Sequence, residues 1–354
     1  MALNRVMRIA GVFVATAAIV AACGSSTATT APTVAASVAP SVAPSVAASV
    51  APSVAPSVAA SAPASAAANI KIGVAFPNSD TFLSRVQDGM KAEATAKGVT
   101  VTITDAKDDT AQQQSQVENF ISQGVSAIIV VPVDTSAAQP MADAAKKANI
   151  PLVFVNRNPA IAGVPYVGSD SLYAGTVEMT ELAKLAGGKG DVVILEGQVT
   201  NEAAVLRTKG CNDVVAKNPG MKVTATLEGA WDRAKGQTIT ENWIQSGTLK
   251  AGMVVCANND EMALGAINAL KAAKIPLTAG TGVIVGGVDA TSEALAAMQA
   301  GDLAVTVFQD AKGQGKGGVD AAIDLINGKA VADFVNIPYQ LVTPANIKDF
   351  LGAN

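Results

Sequence analysis

Residues 127–155 read AIIVVPVDTSAAQPMADAAKKANIPLVFV, and this stretch indicates how the chain folds. Its two ends, Ala127–Val131 and Pro151–Val155, are short apolar runs of the kind that form strands buried on both faces. Between them, Thr135–Asn149 has the pattern of a helix. A strand, a helix and a second strand in this order predict two parallel strands covered by a helix.

The same alternation runs along the chain from Ile70 onward. Further strands are predicted at Ile70–Phe76, Val99–Thr104, Asp191–Glu196, Lys222–Glu228, Met253–Ala257, Val283–Gly287 and Leu303–Phe308. Helices are predicted at Thr81–Lys97 and Thr110–Gln123, and a helical stretch follows each of the later strands. Because this number of strands exceeds one sheet of usual size, we expect an α/β protein with two parallel-sheet lobes, divided near Ser169–Asp170.

Composition restricts the function before any motif is considered. Of the 354 residues, 49% are hydrophobic, 15% are charged and none is histidine. The lack of histidine excludes Ser-His-Asp triads, Cys-His dyads and histidine-ligated zinc. The formal net charge of −4 provides no positive surface for nucleic acid, so we expect no nucleic-acid partner.

The beginning of the chain predicts export and lipidation. Residues 1–22 have the features of a lipoprotein signal peptide, because Arg5 and Arg8 precede an apolar run too short to span a bilayer. Cys23 follows small residues and is the expected lipidation site. The alternative is an ordinary signal peptide with a chance cysteine.

Residues 23–68 predict a disordered tether. The tetrapeptide Ser-Val-Ala-Pro recurs there, and the segment consists almost entirely of Ala, Ser, Val, Pro and Thr. Recurring proline blocks helix and strand pairing, and small side chains bury too little surface to offset the entropy of ordering. We therefore expect the folded part to begin near Asn69 and to be held at the membrane by the lipid on Cys23.

Motifs for catalysis and for phosphate binding are missing from the sequence. It contains neither a Walker-type phosphate loop nor a G-x-S-x-G nucleophile elbow. Gly313–Gly318 matches G-x-G-x-x-G but lies too late in the chain for a dinucleotide fingerprint, so close helix packing explains it better. Cys211 and Cys256 are either buried thiols or one disulfide. We expect no catalytic residue, no cofactor and no metal.

Polar and aromatic residues recur just past the carboxyl ends of the predicted strands, where open parallel sheets bind ligands. A single Asp in this position usually caps a helix, but these residues follow strands in both halves of the chain. Arg207 is expected to open the helix after Asp191–Glu196. The candidate ligand-binding residues are Asp80, Phe82, Asn156, Arg157, Arg207, Trp231, Asn259, Asp289 and Gln309.

The chemistry of these side chains suits a sugar. Asp, Asn, Gln and Arg supply fixed hydrogen-bonding groups, while Phe82 and Trp231 supply flat apolar faces. A cyclic polyol carries hydroxyls around its rim and C–H faces above and below. Two Asp against two Arg leave the site near neutral, which argues against a strongly charged ligand.

At these residues the sequence resembles the type I periplasmic sugar-binding proteins of ABC transporters, the ribose/galactose/inositol-binding class, in its lipoprotein form. The resemblance covers residues 69–354. Its most specific stretch is Val254–Ala266, with the core Asn-Asp-Glu-Met-Ala-Leu-Gly. Val285–Asp289, Val305–Gln309 and Phe154–Arg157 add to it in the right order.

The resemblance implies two Rossmann-like lobes that are joined by a three-segment hinge and close on a sugar. The implied N-terminal lobe is 69–169 plus 310–338, and the implied C-terminal lobe is 170–309 plus 339–354. The implied crossovers fall near Ser169–Asp170, Gln309–Asp310 and Pro338–Tyr339. Phe82 and Trp231 are expected to sandwich the ligand ring.

Two positions bear on the ligand. Ribose-type members tend to have Asn where this chain has Asp80, and Asp where it has Asn156. The combination found here looks more like that of inositol- or rhizopine-type binders. The resemblance thus puts ribose itself in doubt.

These observations predict a lipid-anchored, extracytoplasmic solute-binding protein for a neutral sugar or cyclic polyol, such as a pentose, a hexose or an inositol. Its expected partners are the permease and ATPase subunits of an ABC importer, and the chain is expected to be a monomer. The alternative is a subunit that presents the ligand to a sensor kinase or chemoreceptor without transport. A repressor effector domain shares the fold, but here the signal segment stands in place of a DNA-binding headpiece.

Overall fold

The computed structural model of the protein describes residues 70–353, in which strands and helices alternate. The predicted signal peptide at 1–22, the predicted lipidation site Cys23 and the predicted tether at 23–68 lie outside the described residues. The strands are β1 (Lys71–Phe76), β2 (Thr100–Asp105), β3 (Ala127–Val130), β4 (Leu152–Val155), β5 (Tyr166–Gly168), β6 (Lys189–Glu196), β7 (Gly220–Glu228), β8 (Val254–Ala257), β9 (Ile284–Gly286), β10 (Thr306–Phe308), β11 (Phe334–Asn336) and β12 (Gln340–Val342). The helices are α1 (Thr81–Lys97), α2 (Thr110–Ser122), α3 (Gln139–Lys147), α4 (Ser171–Leu185), α5 (Glu202–Ala216), α6 (Arg233–Gln245), α7 (Asp260–Ala272), α8 (Ser292–Gln299) and α9 (Ala311–Ile326).

Two parallel sheets form the centres of two lobes, which confirms the predicted fold class. The first lobe is built on a 6-stranded sheet of order β11-β5-β4-β3-β1-β2, and the second on a 4-stranded sheet of order β7-β6-β8-β9. Neighbouring strands within both sheets are parallel. A separate antiparallel pair joins β10 to β12, and isolated bridges connect Gly286 to Val305 and Asp289 to Phe308.

The chain passes between the lobes three times. It leaves the first sheet after β5, returns after β10 to form α9 against α1, and leaves again after β11 to pair β12 with β10. Three connections of this kind form the three-segment hinge. The lobe boundaries given above stay a prediction.

Burial explains why these sequences form these strands. All four residues of β3, and all four of β4, are buried, because helices cover both faces of the first sheet. In the second lobe, β8 is buried in the same way. Among residues 70–353, no helix combines the length and the apolar character that crossing a bilayer requires.

Three local expectations were wrong. The predicted helix Thr135–Asn149 is a 3₁₀ turn at Thr135–Ala137 followed by α3, because Pro140 lacks an N–H and fits only the first turn of a helix. The strands β5, β11 and β12 were not predicted, since each has only three residues. Arg207 does not open its helix but lies in the second turn of α5, which begins at Glu202.

The glycines of the G-x-G-x-x-G match lie in α9 and serve helix packing. A Cβ at Gly315 would lie 2.1 Å from the backbone oxygen of Val86 on α1. Only glycine therefore allows the two helices to come this close. The interpretation of Gly313–Gly318 as packing residues agrees with this geometry.

Cys211 on α5 and Cys256 on β8 form a disulfide in the core of the second lobe. Both residues have no exposed surface, and 45 positions of sequence separate them. The disulfide decides between the two states that the sequence left open.

Closing a loop of this length restricts the unfolded chain, so we expect the double variant Cys211→Ala/Cys256→Ala to lose about 2–4 kcal/mol of unfolding free energy. Urea unfolding followed by circular dichroism measures the loss. Wild-type protein that is unfolded and refolded in dithiothreitol is the matched control and should show the same decrease. Equal urea midpoints for all three samples would contradict the disulfide.

Candidate functional site

One cavity lies between the carboxyl ends of the two parallel sheets. All nine residues predicted to bind ligand line it, together with Leu83, Asn201 and Ala203. The empty space in and around it is about 390 Å³, which includes open solvent at its mouth. The structure thus brings together residues that are spread over more than two hundred positions of sequence. Periodicity of the sequence alone could not establish that they lie around one cavity.

Asp80 and Phe82 reach the cavity from the start of α1. Asp80 is the N-cap of this helix, and its Oδ1 accepts a hydrogen bond from the N–H of Leu83 at 2.7 Å. Although Asp80 keeps contact with solvent, desolvation by the surrounding atoms raises the pKa of its carboxyl, against the lowering effects of the Leu83 N–H and Arg157. The residue is therefore both a helix cap and an acceptor at the cavity wall.

Asn156 lies at the end of β4 with a left-handed φ of 66°. Its Nδ2 donates to Oε1 of Gln314 at 2.9 Å, and its carbonyl accepts from the hydroxyl of Tyr166 at 3.0 Å. Gln314 in turn donates to the hydroxyl of Ser169, which donates to the carbonyl of Ile337. This chain of hydrogen bonds connects the cavity to two of the three connections between the lobes.

Arg157 is buried beside Asn156. Its Nη1 donates to the carbonyls of Pro132 and Val133 at 2.8 and 3.2 Å. Burial lowers the pKa of its guanidinium, and the nearby carboxylates of Asp80 and Glu202 oppose this shift. Nε of Arg157 is buried without a hydrogen-bond partner in the part of the chain that the structure describes.

Arg207 is the central cation of the second lobe's half of the cavity. Its Nη1 donates to the carbonyl of Asn258 at 2.5 Å, while its Nη2 donates to Oε1 of Gln309 and to the hydroxyl of Tyr339, both at 2.7 Å. The guanidinium carbon lies 5.6 Å from the ring centroids of both Trp231 and Tyr339. Cation–π contact with two rings and three hydrogen bonds fix its orientation.

Trp231 and Asn259 stand next to each other on the same wall. Asn259 caps α7, since its Oδ1 accepts from the N–H of Met262 at 3.0 Å, and its Nδ2 donates to the carbonyl of Trp231 at 3.2 Å. Trp231 has a φ of 68°, and its indole Nε1 is buried without a partner among residues 70–353. The sandwich of a ligand ring between Phe82 and Trp231 stays a prediction.

Asp289 completes the wall as a buried carboxylate, 4% exposed, with a φ of 124°. Burial raises its pKa well above the ordinary value, and the positive charge of Arg207 opposes this shift. The formal negative charges of Asp80 and Asp289 thus lie opposite the formal positive charges of Arg157 and Arg207. The formal charges of these four groups sum to zero.

Sequence reasoning missed Asn201, Leu83 and Ala203. Asn201 is buried, and its Oδ1 accepts from the N–H of Ala203 at 3.0 Å at the start of α5. An Asn directly before a helical pattern is the usual N-cap signal, and it could have located this residue. Leu83 and Ala203 carry no polar signal.

Contacts between the lobes surround the cavity. The N–H and the hydroxyl of Thr135 both donate to the carbonyl of Thr200 at 3.1 Å, and Nη2 of Arg85 donates to the hydroxyl of Ser292 at 3.2 Å. On the same side, the carboxylate of Glu202 accepts from the N–H of Asn158. Because each pair joins one residue of the first lobe to one of the second, these bonds hold the lobes together.

The described residues contain one group that could resemble a metal site, formed by Glu178, Cys211 and Cys256. The two cysteines are bonded to each other, so their thiolates are not available as ligands. The cavity itself offers amides, guanidinium groups and carboxylates for hydrogen bonding.

Comparison with known proteins agrees with this architecture. A model of the family described as "Periplasmic binding protein domain" matches residues 72–330. A putative rhizopine-binding protein of Rhizobium meliloti is 46% identical over 283 residues, which cover 78% of this chain and 90% of that protein. A xylitol-binding protein of Mycolicibacterium smegmatis is 36% identical over 74% of this chain and 73% of its own length.

A solved structure extends the similarity to three dimensions. The ABC transporter solute-binding protein of Bacillus halodurans with bound myo-inositol superimposes with a TM-score of 0.76. The two sequences are 42% identical, and the alignment covers 80% of this chain and 98% of that one.

The contact between Glu202 and Asn158 generates a prediction about pH. Oε2 of Glu202 is buried without a hydrogen-bond partner among residues 70–353, and burial raises the pKa of this carboxyl from 4.5 to about 7. In the unfolded chain the group ionises near its ordinary pKa, whereas in the folded protein it keeps its proton until about pH 7. Its contribution to stability is therefore full below pH 4.5 and is lost as the pH rises through 7.

We expect Glu202→Gln to remove the contribution of Glu202 to the pH dependence of the unfolding free energy. The difference in unfolding free energy between variant and wild type should shift in favour of the variant between pH 5 and pH 8, by at most about 3 kcal/mol. Urea unfolding at both pH values measures it, and Glu228→Gln at the exposed end of β7 is the control. The same slope with pH in wild type and Glu202→Gln would refute the assignment.

Proposed function

The chain belongs to the periplasmic binding protein domain family, and from this premise we propose that it captures one neutral cyclic polyol between its lobes and delivers it to an ABC importer. The family consists of solute-binding proteins that work outside the cytoplasm. The chain is therefore an extracytoplasmic binding protein and not an enzyme. The ligand and its delivery are the proposed part.

The observation that carries the proposal is the composition of the cavity wall. Phe82 and Trp231 offer flat apolar faces that suit the C–H faces of a ring. Amide and carboxylate groups line the same space and suit hydroxyls around the rim. The polar side chains that would bind these hydroxyls are Asp80, Asn156, Arg157, Arg207, Asn259, Asp289 and Gln309.

Charge narrows the ligand class. Two carboxylates against two guanidinium groups favour a neutral molecule, since an unpaired ligand charge would be costly in this desolvated space.

Among neutral rings, we favour an inositol-type polyol over ribose. At the positions of Asp80 and Asn156, this chain has residues that differ from those that ribose-type members tend to have. The names of two similar proteins support the same direction, since one is described as rhizopine-binding and another has bound myo-inositol. A third is described as binding xylitol, which is an open-chain polyol.

Lipid anchoring at Cys23 is also part of the proposal. It is supported by the sequence of residues 1–68, in which a signal-like segment is followed by a cysteine and a proline-rich stretch. A tether of this composition would let the folded lobes, from Asn69 onward, reach a permease while the chain stays at the membrane.

A ligand panel tests the proposal. We expect isothermal titration of wild-type protein with myo-inositol, scyllo-inositol, xylitol, ribose, xylose and galactose to give at least one dissociation constant in the micromolar range or below. Trp231→Ala should lower the affinity for that ligand by about tenfold or more, because the substitution removes one flat face of the site. A folded protein that binds none of these compounds would contradict the polyol site.

The two tryptophans provide a matched control. Trp231 lines the cavity, whereas Trp243 is 5% exposed in the core of the second lobe. The change of tryptophan fluorescence on ligand binding should persist in Trp243→Phe and disappear in Trp231→Phe.

Transport is tested separately, because uptake of the bound polyol should stop when the gene is deleted. Unchanged uptake would favour the presentation of the ligand to a sensor kinase or chemoreceptor.

Lipidation is tested with Cys23→Ser. We expect wild-type protein from the native host to partition into the detergent phase of Triton X-114, while Cys23→Ser partitions into the aqueous phase with the same ligand affinity. Cys211→Ala/Cys256→Ala is the control for loss of cysteine as such, and it should stay in the detergent phase. Equal partitioning of wild type and Cys23→Ser would exclude the anchor.

A further inference from the structure

The backbone around Asp289 adopts a conformation that side chains rarely adopt. Asp289 has a φ of 124° and Ala290 a φ of 51°, and both residues are buried. A non-glycine residue in such a conformation is strained, so its surroundings must hold it there. Since Asp289 lines the ligand cavity, whatever holds this segment also sets the direction of its carboxylate.

Strand β10 holds one side of the segment through its backbone. The N–H of Gly287 donates to the carbonyl of Val305 at 3.0 Å, and the N–H of Asp289 donates to the carbonyl of Val307 at 2.8 Å. These two bonds continue the pattern of a parallel sheet. They leave the next two amides of the turn, those of Ala290 and Thr291, without a backbone acceptor.

Two buried side chains accept those amides. The N–H of Ala290 donates to Oγ1 of Thr306 at 3.2 Å, and the N–H of Thr291 donates to Oδ2 of Asp260 at 2.8 Å. The hydroxyl of Thr306 donates to Oδ1 of Asp260 at 2.7 Å, and the N–H of Asp260 donates to the carbonyl of Val288 at 2.7 Å. Asp260 and Thr306 thus bind each other and the turn on both sides of Asp289.

Asp260 is the first residue of α7 and lies away from the ligand cavity. It has no exposed surface and is not among the residues that line the ligand cavity. A buried carboxylate is unfavourable unless both oxygens accept hydrogen bonds, and here both do. A Cβ at Gly287 would lie 2.5 Å from Oδ1 of Asp260, so glycine at this position is what lets the carboxylate approach the turn.

We infer that Asp260 and Thr306 form a clamp that positions Asp289 for ligand binding. They are positioning residues, because they act through Asp289 and do not themselves line the cavity. The inference rests on the proposed polyol site and deepens it, since it names the groups that determine how well Asp289 is placed.

The clamp also reaches the contact between the lobes. Thr291 caps α8, because its Oγ1 accepts from the N–H of Ala294 at 3.2 Å. The next residue, Ser292, accepts the hydrogen bond from Arg85 of the first lobe. One buried carboxylate therefore orients a residue of the ligand site and the neighbouring residue that meets the other lobe.

The test compares Thr306→Val with Thr306→Ser, using myo-inositol as the probe. Valine has the shape of threonine without the hydroxyl, so we expect Thr306→Val to weaken binding about tenfold, because the turn then holds the Asp289 carboxylate less firmly in its position at the cavity. Thr306→Ser restores the hydroxyl and should bind within about twofold of wild type. Equal affinity for Thr306→Val and wild type would overturn the clamp.

A double-mutant cycle separates positioning from a general loss of structure. In an Asp289→Asn background, Thr306→Val should cost little further affinity, because both changes remove the same interaction. Fully additive losses would show that Thr306 does not act through Asp289 and would overturn the inference. If Thr306→Val does not fold, Asp260→Asn takes its place in the cycle with the same expected result.

Hydrogen exchange gives a readout that needs no ligand. Exchange in a peptide covering 287–295 should be faster in Thr306→Val than in wild type or Thr306→Ser. The N–H of Ala290 loses its acceptor, and Asp260, which accepts from the N–H of Thr291, loses the hydroxyl that donates to it. Unchanged exchange would overturn the clamp even if wild type binds myo-inositol. If wild type binds none of the panel polyols while exchange still rises in Thr306→Val, the proposed ligand fails and the clamp on the turn stands.

Discussion

The guanidinium of Arg207 connects four parts of the chain that sequence keeps far apart. From α5 it binds the end of β8 through Asn258, one connection between the lobes through Gln309 and another through Tyr339, and it lies against Trp231. Burying a cation is unfavourable unless its donors are paired, and both Nη atoms of Arg207 are paired here, although its Nε is buried without a partner among residues 70–353. The residue therefore depends on the arrangement around its Nη atoms. The disulfide one turn further along α5, between Cys211 and Cys256, ties the same helix to the same strand.

Function follows from how this site balances charge and exposes hydrogen-bonding groups. Asp80 and Asp289 face Arg157 and Arg207, so their fields largely cancel while their donors and acceptors stay fixed in direction. Such a wall offers hydrogen-bonding groups in fixed directions with a formal charge of zero from these four residues. The hydrogen bonds between the lobes, including those at Thr135 and Glu202, join residues of the first lobe to residues of the second.

Much of this could be predicted from the sequence because the local signals were strong. Apolar runs such as Ala127–Val131 and Pro151–Val155 identified buried parallel strands, and the polar residues after the strands identified the lining of the cavity. The sequence did not predict segments that are too short to show a periodic pattern, or features that depend on tertiary contacts. Three-residue strands such as β5 carry no periodicity, and Arg207 was placed a full turn too early because its role depends on neighbours distant in sequence.

The sequence by itself determined the α/β class, the two lobes and the set of polar residues that follow the strands, since these depend on periodicity and on the fixed direction of parallel strands. Only the tertiary structure decided that Cys211 and Cys256 pair, that Asn201 joins the cavity, and that Asp260 and Thr306 hold the turn at Asp289. The reason is physical. A hydrogen bond or disulfide between distant residues depends on ångström-scale distances, and those are set only when the two sheets and their covering helices have packed together.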